Sequence, residues 1–456
     1  MTAKPLRINA FAMNTVGHQS PGLWRHPRDE SSRHDTLEHW TKIARTLERG
    51  LFDAIFLADV YGVYDVYGGT REAAARAAVQ LPISDPFILI PAMAAVTQHL
   101  CFGVTGNTGI EPPLAFARRM TTLDHLTRGR LAWNIVTGYL KSAAKAQGQA
   151  GLTAHDDRYA IAEDFTSLVY KLWEASWSDT ALRRDANAGI YAEPAEIAEI
   201  HHDGPHFRFD GIGLGAPSPQ RTPVIFQAGA SPRGRACAAR HAECVFIAGP
   251  SARVIAPWVA DIRARARAAG RNATDILVFA EITVIPGATE DVACEKHADY
   301  ARYIDRDGAL AMVGGWTGVD FAPMGWDDPI EYEENDALRS HLEAITTADP
   351  DKVWTKAALA DFAGIGGIAP VITGSAADCA RALLDFMDET DIDGFNLAYA
   401  VWPESFSDFA DLVVPELQAL GRYRTAYDQG TMREKLWGRG PRVASTHPAA
   451  LGKTRP

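Results

Sequence analysis

Short, uninterrupted apolar runs alternate along this chain with stretches in which apolar residues recur every three or four positions. The runs Arg7–Ala12, Ala54–Ala58, Cys101–Thr105, Arg130–Val136, Pro223–Ala228, Glu243–Ala248, Ile276–Ile285 and Phe395–Val401 read as eight strands. Several are apolar at nearly every position, as burial on both faces of a parallel sheet requires. Between the first two, Asp35 is placed to cap a helix running to about Arg49. Glu38 would complete a capping box, Leu37, Trp40, Ile43 and Leu47 would form the apolar stripe, and Gly50 the stop. Further helices are expected around Ala92–Thr97, after Pro112-Pro113, and over Asp156–Trp173, Pro232–His241, Ala252–Ala269 and Ser407–Leu420. Eight strands alternating with helices favour an α/β fold of the (β/α)8 TIM-barrel type over an open doubly wound sheet, and no GxGxxG follows the first strand.

Three segments exceed the minimal repeat: about 178–222, about 303–369, and the tail from about 428. Unstructured loops above ~15 residues are uncommon in compact domains. The chain therefore reads as one barrel domain over 1–456 with two insertions and a C-terminal arm, the insertions being candidates for lids or contact arms.

Composition narrows the function classes. Hydrophobic residues make up 47% of 456, enough for a large core. With 45 Lys+Arg against 57 Asp+Glu the net charge is −12, and no basic run offers a footprint for nucleic acid or an anionic membrane. No apolar stretch is long enough to span a bilayer and no signal peptide is evident, so a cytoplasmic location is expected. The five cysteines (Cys101, Cys237, Cys244, Cys294, Cys379) include no CxxC pair, which argues against a disulfide framework or structural zinc. Cys101 and Cys244 fall in strand runs as core thiols. His201–Asp203 (HHD) lacks the carboxylate spacing of a metal site, and no GxSxG elbow occurs.

In a barrel, chemistry sits where strands end. Asp59 closes the second run as a ligand acceptor or a helix cap; Thr105 and Asn107 end the third as ligand contacts or turn residues. Asn134 is an amide inside an apolar strand and needs a ligand edge or a water. His155 and Tyr159, four apart, share one face at a helix start. Gln227–Arg235 (QAGASPRGR) has the strand–glycine–serine–helix layout of a phosphate cradle, with Arg233 and Arg235 adding charge.

Taken in order, FLADVYGVYDVY (Phe56–Tyr67), RRMTTLDHLTRGRLAWNIVTG (Arg118–Gly138), HDDRY (His155–Tyr159), PSPQRTPVIFQAGASPRGR (Pro217–Arg235) and DGFNLAY (Asp393–Tyr399) resemble a known family. It is the bacterial-luciferase-like, two-component flavin monooxygenases, in the branch of nitrilotriacetate and dibenzothiophene-sulfone monooxygenases, with most likeness to the long-chain alkane type. The likeness runs from NAFAMNTVGHQSPGLWRHPRD (Asn9–Asp29) to GTMREKLWGRG (Gly430–Gly440).

The resemblance implies reduced FMN (FMNH2) delivered by a separate NAD(P)H:flavin reductase. It also implies O2 as co-substrate and oxygenation, through a flavin (hydro)peroxide, of an apolar long-chain alkane, organosulfur or haloaromatic compound. By matching position, Asp59, Thr105, Asn134, His155, Tyr159, Ala230 and Ser231 would contact the flavin. Ser231 and the Ala230 backbone would hold the phosphate, while Asp59, Thr105 and Asn134 border the isoalloxazine. His18 and Asn134 are the catalytic candidates; the near-neutral titration of an ordinary histidine is the argument for His18, and pinning the first loop is its plainer role. Tyr64, Gln80, Tyr139 and Met312 are expected to line the substrate pocket. Departures from the alkane type are Gly138-Tyr139 for serine-histidine, Met312 for a histidine, Asn107-Thr108 for serine-threonine and Thr15 for cysteine. A homodimer or homotetramer is expected. Alternatives on this fold are a flavin-binding protein without turnover and a deazaflavin-dependent dehydrogenase; a metal-dependent hydrolase is the weakest rival.

Overall fold

Strands β1 (Arg7–Met13), β2 (Ala54–Ala58), β3 (Cys101–Asn107), β4 (Leu131–Val136), β5 (Val224–Ala228), β6 (Cys244–Ile247), β7 (Leu277–Gly287) and β8 (Gly394–Ala398) all pair in parallel. Their order is β6-β5-β4-β3-β2-β1-β8-β7, and pairing of Cys244–Ile247 with Leu277–Ala280 joins the two ends. Helices cross between successive strands, so the chain is a closed (β/α)8 barrel. This computed structural model describes residues 4–229, 231–332 and 337–451.

A strand at Val371–Ser375, not anticipated from the sequence, has a simple cause. β7 outlasts its neighbour β6, leaving backbone donors and acceptors of Thr283–Gly287 without partners on that edge, and Val371–Ser375 pairs with them. The first helix, α1 (Leu37–Arg49), corrects the expected cap. Thr36, in extended conformation, accepts the His39 N–H, so the helix starts one position later than an Asp35 cap would set. Leu37 is consequently 65% exposed, and the buried face is Trp40, Ile43, Ala44 and Leu47. Glu38 pairs with Arg33 instead of closing a box.

The lower barrel is plugged by aromatic rings. Phe56, Phe226, Phe246 and Phe279 interlock with centroid separations of 4.4–6.1 Å. Gly103 makes room for them, since a Cβ there would lie 2.7 Å from the Phe226 ring. Cys101 and Cys244 belong to the same cluster, and burial raises both thiols above their ordinary range. The arm after 428 completes the plug from below: helix Met432–Trp437 contributes Met432 and Leu436 to the cluster. Between those two, Arg433 reaches Glu243 through two bonds of 2.7 and 2.8 Å.

The segment 178–222 forms two hairpins, Leu182–Asp185 with Ile190–Ala192 and Ile200–Asp203 with Arg208–Gly211. Within the second, His202 bonds Asp164 at 2.8 Å, and no group of three or more metal-ligating side chains occurs among the described residues. The segment 303–369 carries helices Arg306–Thr317, Arg339–Ala344 and Lys356–Phe362 over the mouth. No helix among the described residues is long and apolar enough to cross a membrane.

Candidate active site

Above the aromatic plug the inward positions turn polar, and two adjoining cavities of about 880 and 1060 Å³ open at the strand C-termini. The first, a pit over the barrel axis, has Phe11, Met13, Phe56, Phe246 and Trp316 as apolar walls. Its polar lining includes His18, Gln80, Thr105, Asn134, Glu281 and Asn396. The second runs outward past His155, Arg158, Tyr159 and Ser231 at the starts of α2 (His155–Glu174) and α3 (Pro232–His241). Asp59, Tyr139, Leu338, Ser340 and His341 line both, so the cavities share a wall.

Adjacent strands set the register of the pit. Thr105 and Asn134 are Cα partners on β3 and β4, and the Asn134 Nδ2 donates to Thr105 Oγ1 at 3.0 Å. That bond turns Asn134 Oδ1 toward the cavity, where it has no partner among the described residues. His18 Nδ1, Gln19 Oε1, Gln227 Oε1, Glu281 Oε1 and His341 Nδ1 are likewise buried and unpaired, and all belong to residues lining these two cavities. Buried polar atoms left bare cost about 1–3 kcal/mol each, so their concentration here marks a place built for a polar-edged ligand.

At the outer cavity, Ser231 caps α3 by accepting the Gly234 N–H at 3.1 Å. Gly229 has φ of 140°, and a Cβ at Gly234 would meet both Ser231 Oγ and Tyr159 O–H at 3.1 Å. Backbone, serine and tyrosine thus converge at a helix N-terminus, the arrangement that receives anions. His155 and Tyr159 share a face, ring centroids 5.2 Å apart. Ala230 lies outside the described residues. Of the two arginines read as adding charge, Arg235 is held by Asp261 at 2.5 Å, whereas Arg233 stacks over the Tyr159 ring at 6.0 Å. Buried Arg158, which the sequence reading passed over, lines this cavity.

Burial governs the titration of the lining groups. It raises the Asp59 carboxyl to about 7, aided by the charges of Asp85 and Glu111 against one bond from the Val60 N–H. It lowers His18 to about 3 and His341 to about 4, so both rings are neutral at pH 7. The near-neutral titration expected of His18 is therefore corrected: complete burial disfavours its charge, and a backbone contact with Phe11 offsets this only in part. His18 also pins its neighbourhood, its carbonyl accepting from Gln80 at 3.0 Å.

Two expected pocket residues sit elsewhere. Tyr64 is fully buried behind the wall, where its hydroxyl donates to Gln80 Oε1 (2.7 Å), accepts from Trp316 Nε1 (3.0 Å) and bonds the Tyr139 hydroxyl (2.6 Å). It positions three lining residues and lines neither cavity. Met312 is completely buried on Arg306–Thr317; it shares a helix face with Trp316, four residues on, and only Trp316, one turn further along, reaches the pit. From the same insertion the imidazole that lines both cavities is His341. Sequence reasoning missed Glu281, though one signal was available: it is the lone carboxylate in the apolar run Val278–Ile285. His341, on a six-residue helix inside an insertion, had no such signal.

Comparison with known proteins follows this geometry. The family description "Luciferase-like monooxygenase" matches residues 11–392. Dimethyl-sulfide monooxygenase of Hyphomicrobium sulfonivorans is 48% identical over 98% of this chain and 93% of its own. Long-chain alkane monooxygenase of Geobacillus thermodenitrificans (strain NG80-2) is 46% identical over 98% of each. A solved riboflavin lyase, crystallised with modified FMN and riboflavin, superposes with a TM-score of 0.92 at 36% identity, covering 99% of this chain and 100% of that one. By whole-length identity and by family match, this chain belongs to the luciferase-like monooxygenases and is an oxidoreductase of that family.

Proposed function

We propose that this chain receives reduced FMN from a separate NAD(P)H:flavin reductase and uses O2 to oxygenate an apolar organic substrate, a long-chain alkane, organosulfur or haloaromatic compound. The observation that carries the reading is the shared wall between an anion cradle and an apolar, polar-edged pit. A flavin nucleotide needs both at once, a phosphate site and a slot for a ring with hydrogen-bonding edges. The residues fit such a group. Ser231, Gly229 and Tyr159, with Arg158 nearby, would hold the phosphate; Asn134 Oδ1 and Gln227 Oε1 offer bare acceptors to ring N–H groups. The modified FMN carried by the riboflavin lyase relative supports the same assignment.

Reduced flavin, when bound, supplies the electrons that activate O2. The protein's part is orientation and dryness. Thr105 and Asn134 fix one edge of the pit, Asp59 presents a carboxyl poised near neutrality at its rim, and His18 presents an uncharged ring. Phe11, Phe56, Phe246 and Trp316 exclude water, while Leu338, Ser340 and His341 cover the mouth.

Two measurements test the reading. The purified protein with NADH alone should oxidise nothing, and adding a flavin reductase with FMN should start substrate-dependent O2 consumption and yield product carrying one ¹⁸O from ¹⁸O2. Activity indifferent to flavin would end the proposal. Ser231→Ala should weaken FMN binding by about 1–2 kcal/mol, the worth of a hydrogen bond to a charged group. An unchanged Kd in flavin-fluorescence titration would put the phosphate elsewhere.

A further inference from the structure

Glu281 is the anomaly of the pit. It stands on β7, 8% exposed, as Cα partner of Asn396 on β8, and it lines the 880 Å³ cavity. Its Oε1 has no hydrogen-bond partner among the described residues. Among the described residues no lysine or arginine lines the pit to compensate a charge. The flanking strands face it with Phe246, Ile247 and Ala248 from β6 and Asn396 from β8. The other titratable groups lining the pit are His18, Asp59, Tyr139 and His341. Asn396 Oδ1 accepts from Asn9 Nδ2 at 3.0 Å, and Glu281 Oε1 bonds neither of them.

A carboxyl in such surroundings is an acid and not an anion: burial lifts it to about 8. A neutral carboxylic acid has one strong donor, the O–H, aimed here into a cavity whose remaining walls are mostly aromatic and aliphatic. Filled by a plain hydrocarbon, the pit would leave that donor bare; filled by a molecule with one accepting oxygen, it would not. A site with a committed polar group discriminates far more sharply than an apolar wall does.

We propose that Glu281 is a specificity-determining residue whose O–H anchors substrate, so that the pit selects an apolar compound bearing one hydrogen-bond-accepting oxygen over an unfunctionalised hydrocarbon of the same shape. The proposal rests on the flavin reading above: with the ring edge held from β3 and β4, the part of the pit bounded by β7 and β8 is taken as the substrate side of that site.

The test compares methyl phenyl sulfone with tert-butylbenzene, bodies of matching branching with and without acceptor oxygens, binding to the FMN-loaded protein. Wild type should prefer the sulfone by about tenfold, the worth of one buried hydrogen bond. Glu281→Leu should erase the preference and Glu281→Gln, whose amide still donates, should keep most of it. Between pH 7 and pH 9.5 the wild-type sulfone affinity should fall about tenfold as the acid ionises, while Glu281→Gln stays flat. The Gln variant separates this titration from that of Asp59. Equal preference in wild type and Glu281→Leu, binding of neither probe, or a flat wild-type pH profile overturns the proposal. So does a loss of FMN affinity in Glu281→Leu with sulfone preference intact, which would assign the carboxyl to the cofactor. Failure of wild type to bind FMN at all would instead sink the flavin reading, a separate and visible result.

Discussion

Asn134→Leu should lower the rate of substrate oxygenation by about 10²–10³-fold, the scale seen when a preorganised polar group is removed or a reactant is displaced by about 1 Å. Leucine keeps the heavy-atom count and branching of asparagine while removing its hydrogen-bonding groups, so the change is mainly chemical. Two things are lost together: the bond from Nδ2 that fixes Thr105 Oγ1, and the bare Oδ1 that faces the pit. The proposed phosphate end, where Ser231, Gly229 and Tyr159 meet across the shared wall, is untouched. The expected signature is thus a collapse in kcat with a modest rise in the FMN Kd, measured by reductase-coupled turnover and by flavin-fluorescence titration. A kcat within about threefold of wild type would reduce Asn134 to a strut between β3 and β4.

The largest stability effect is expected far from the cavities. Arg433→Ala should cost about 3–5 kcal/mol, because it strands Glu243 as an unpaired charge in the interior. Both side chains are buried, 3% and 7% exposed, and Arg433 also donates to the carbonyls of Thr222 and Pro441. Burial alone would raise Glu243, but the Arg433 charge and hydrogen bonds outweigh it and hold the carboxyl down to about 2. A depressed carboxylate stabilises the fold fully above its ordinary value of 4.5 and loses that contribution as pH falls from there through about 2. Urea titrations at pH 7 should show the loss in Arg433→Ala, and the wild-type advantage should shrink below pH 4.5. Glu243→Leu/Arg433→Met, which removes both charges, should recover part of the deficit. An Arg433→Ala midpoint equal to wild type would mean that the arm does not hold the barrel floor.

The strands were legible because each is a local event: a run of apolar residues between turn signals declares itself without its neighbours. Where reading failed, a neighbour decided. Val371–Ser375 is a strand because β7 is longer than β6, a fact about pairing and not about its own residues. Thr36 and not Asp35 caps α1 because of its backbone conformation, which two adjacent capping residues leave open in sequence.

The cavity residues divide in the same way. Asp59, His155, Tyr159 and Ser231 stand at or near strand or helix ends, and Thr105 and Asn134 interrupt apolar strands, places where a polar residue is visible in sequence; all six line the joined cavities. Met312 and Tyr64 were matched by position along the chain, yet which side of a helix or loop faces the pit depends on how the insertion packs. That packing turned Met312 inward, Tyr64 behind Tyr139, and His341 toward the mouth.

What the sequence determined by itself is the alternation that makes a parallel barrel and the polar residues at the ends of its strands, because hydrophobic patterning and strand termination act over a few residues. What only the tertiary structure decided is which of those residues share one cavity, that Glu281 Oε1 stands in it without a partner among the described residues, and that Arg433 closes the floor. Each depends on groups far apart in the chain meeting in a low-dielectric interior, where the cost of a bare donor or an unpaired charge is set by what surrounds it.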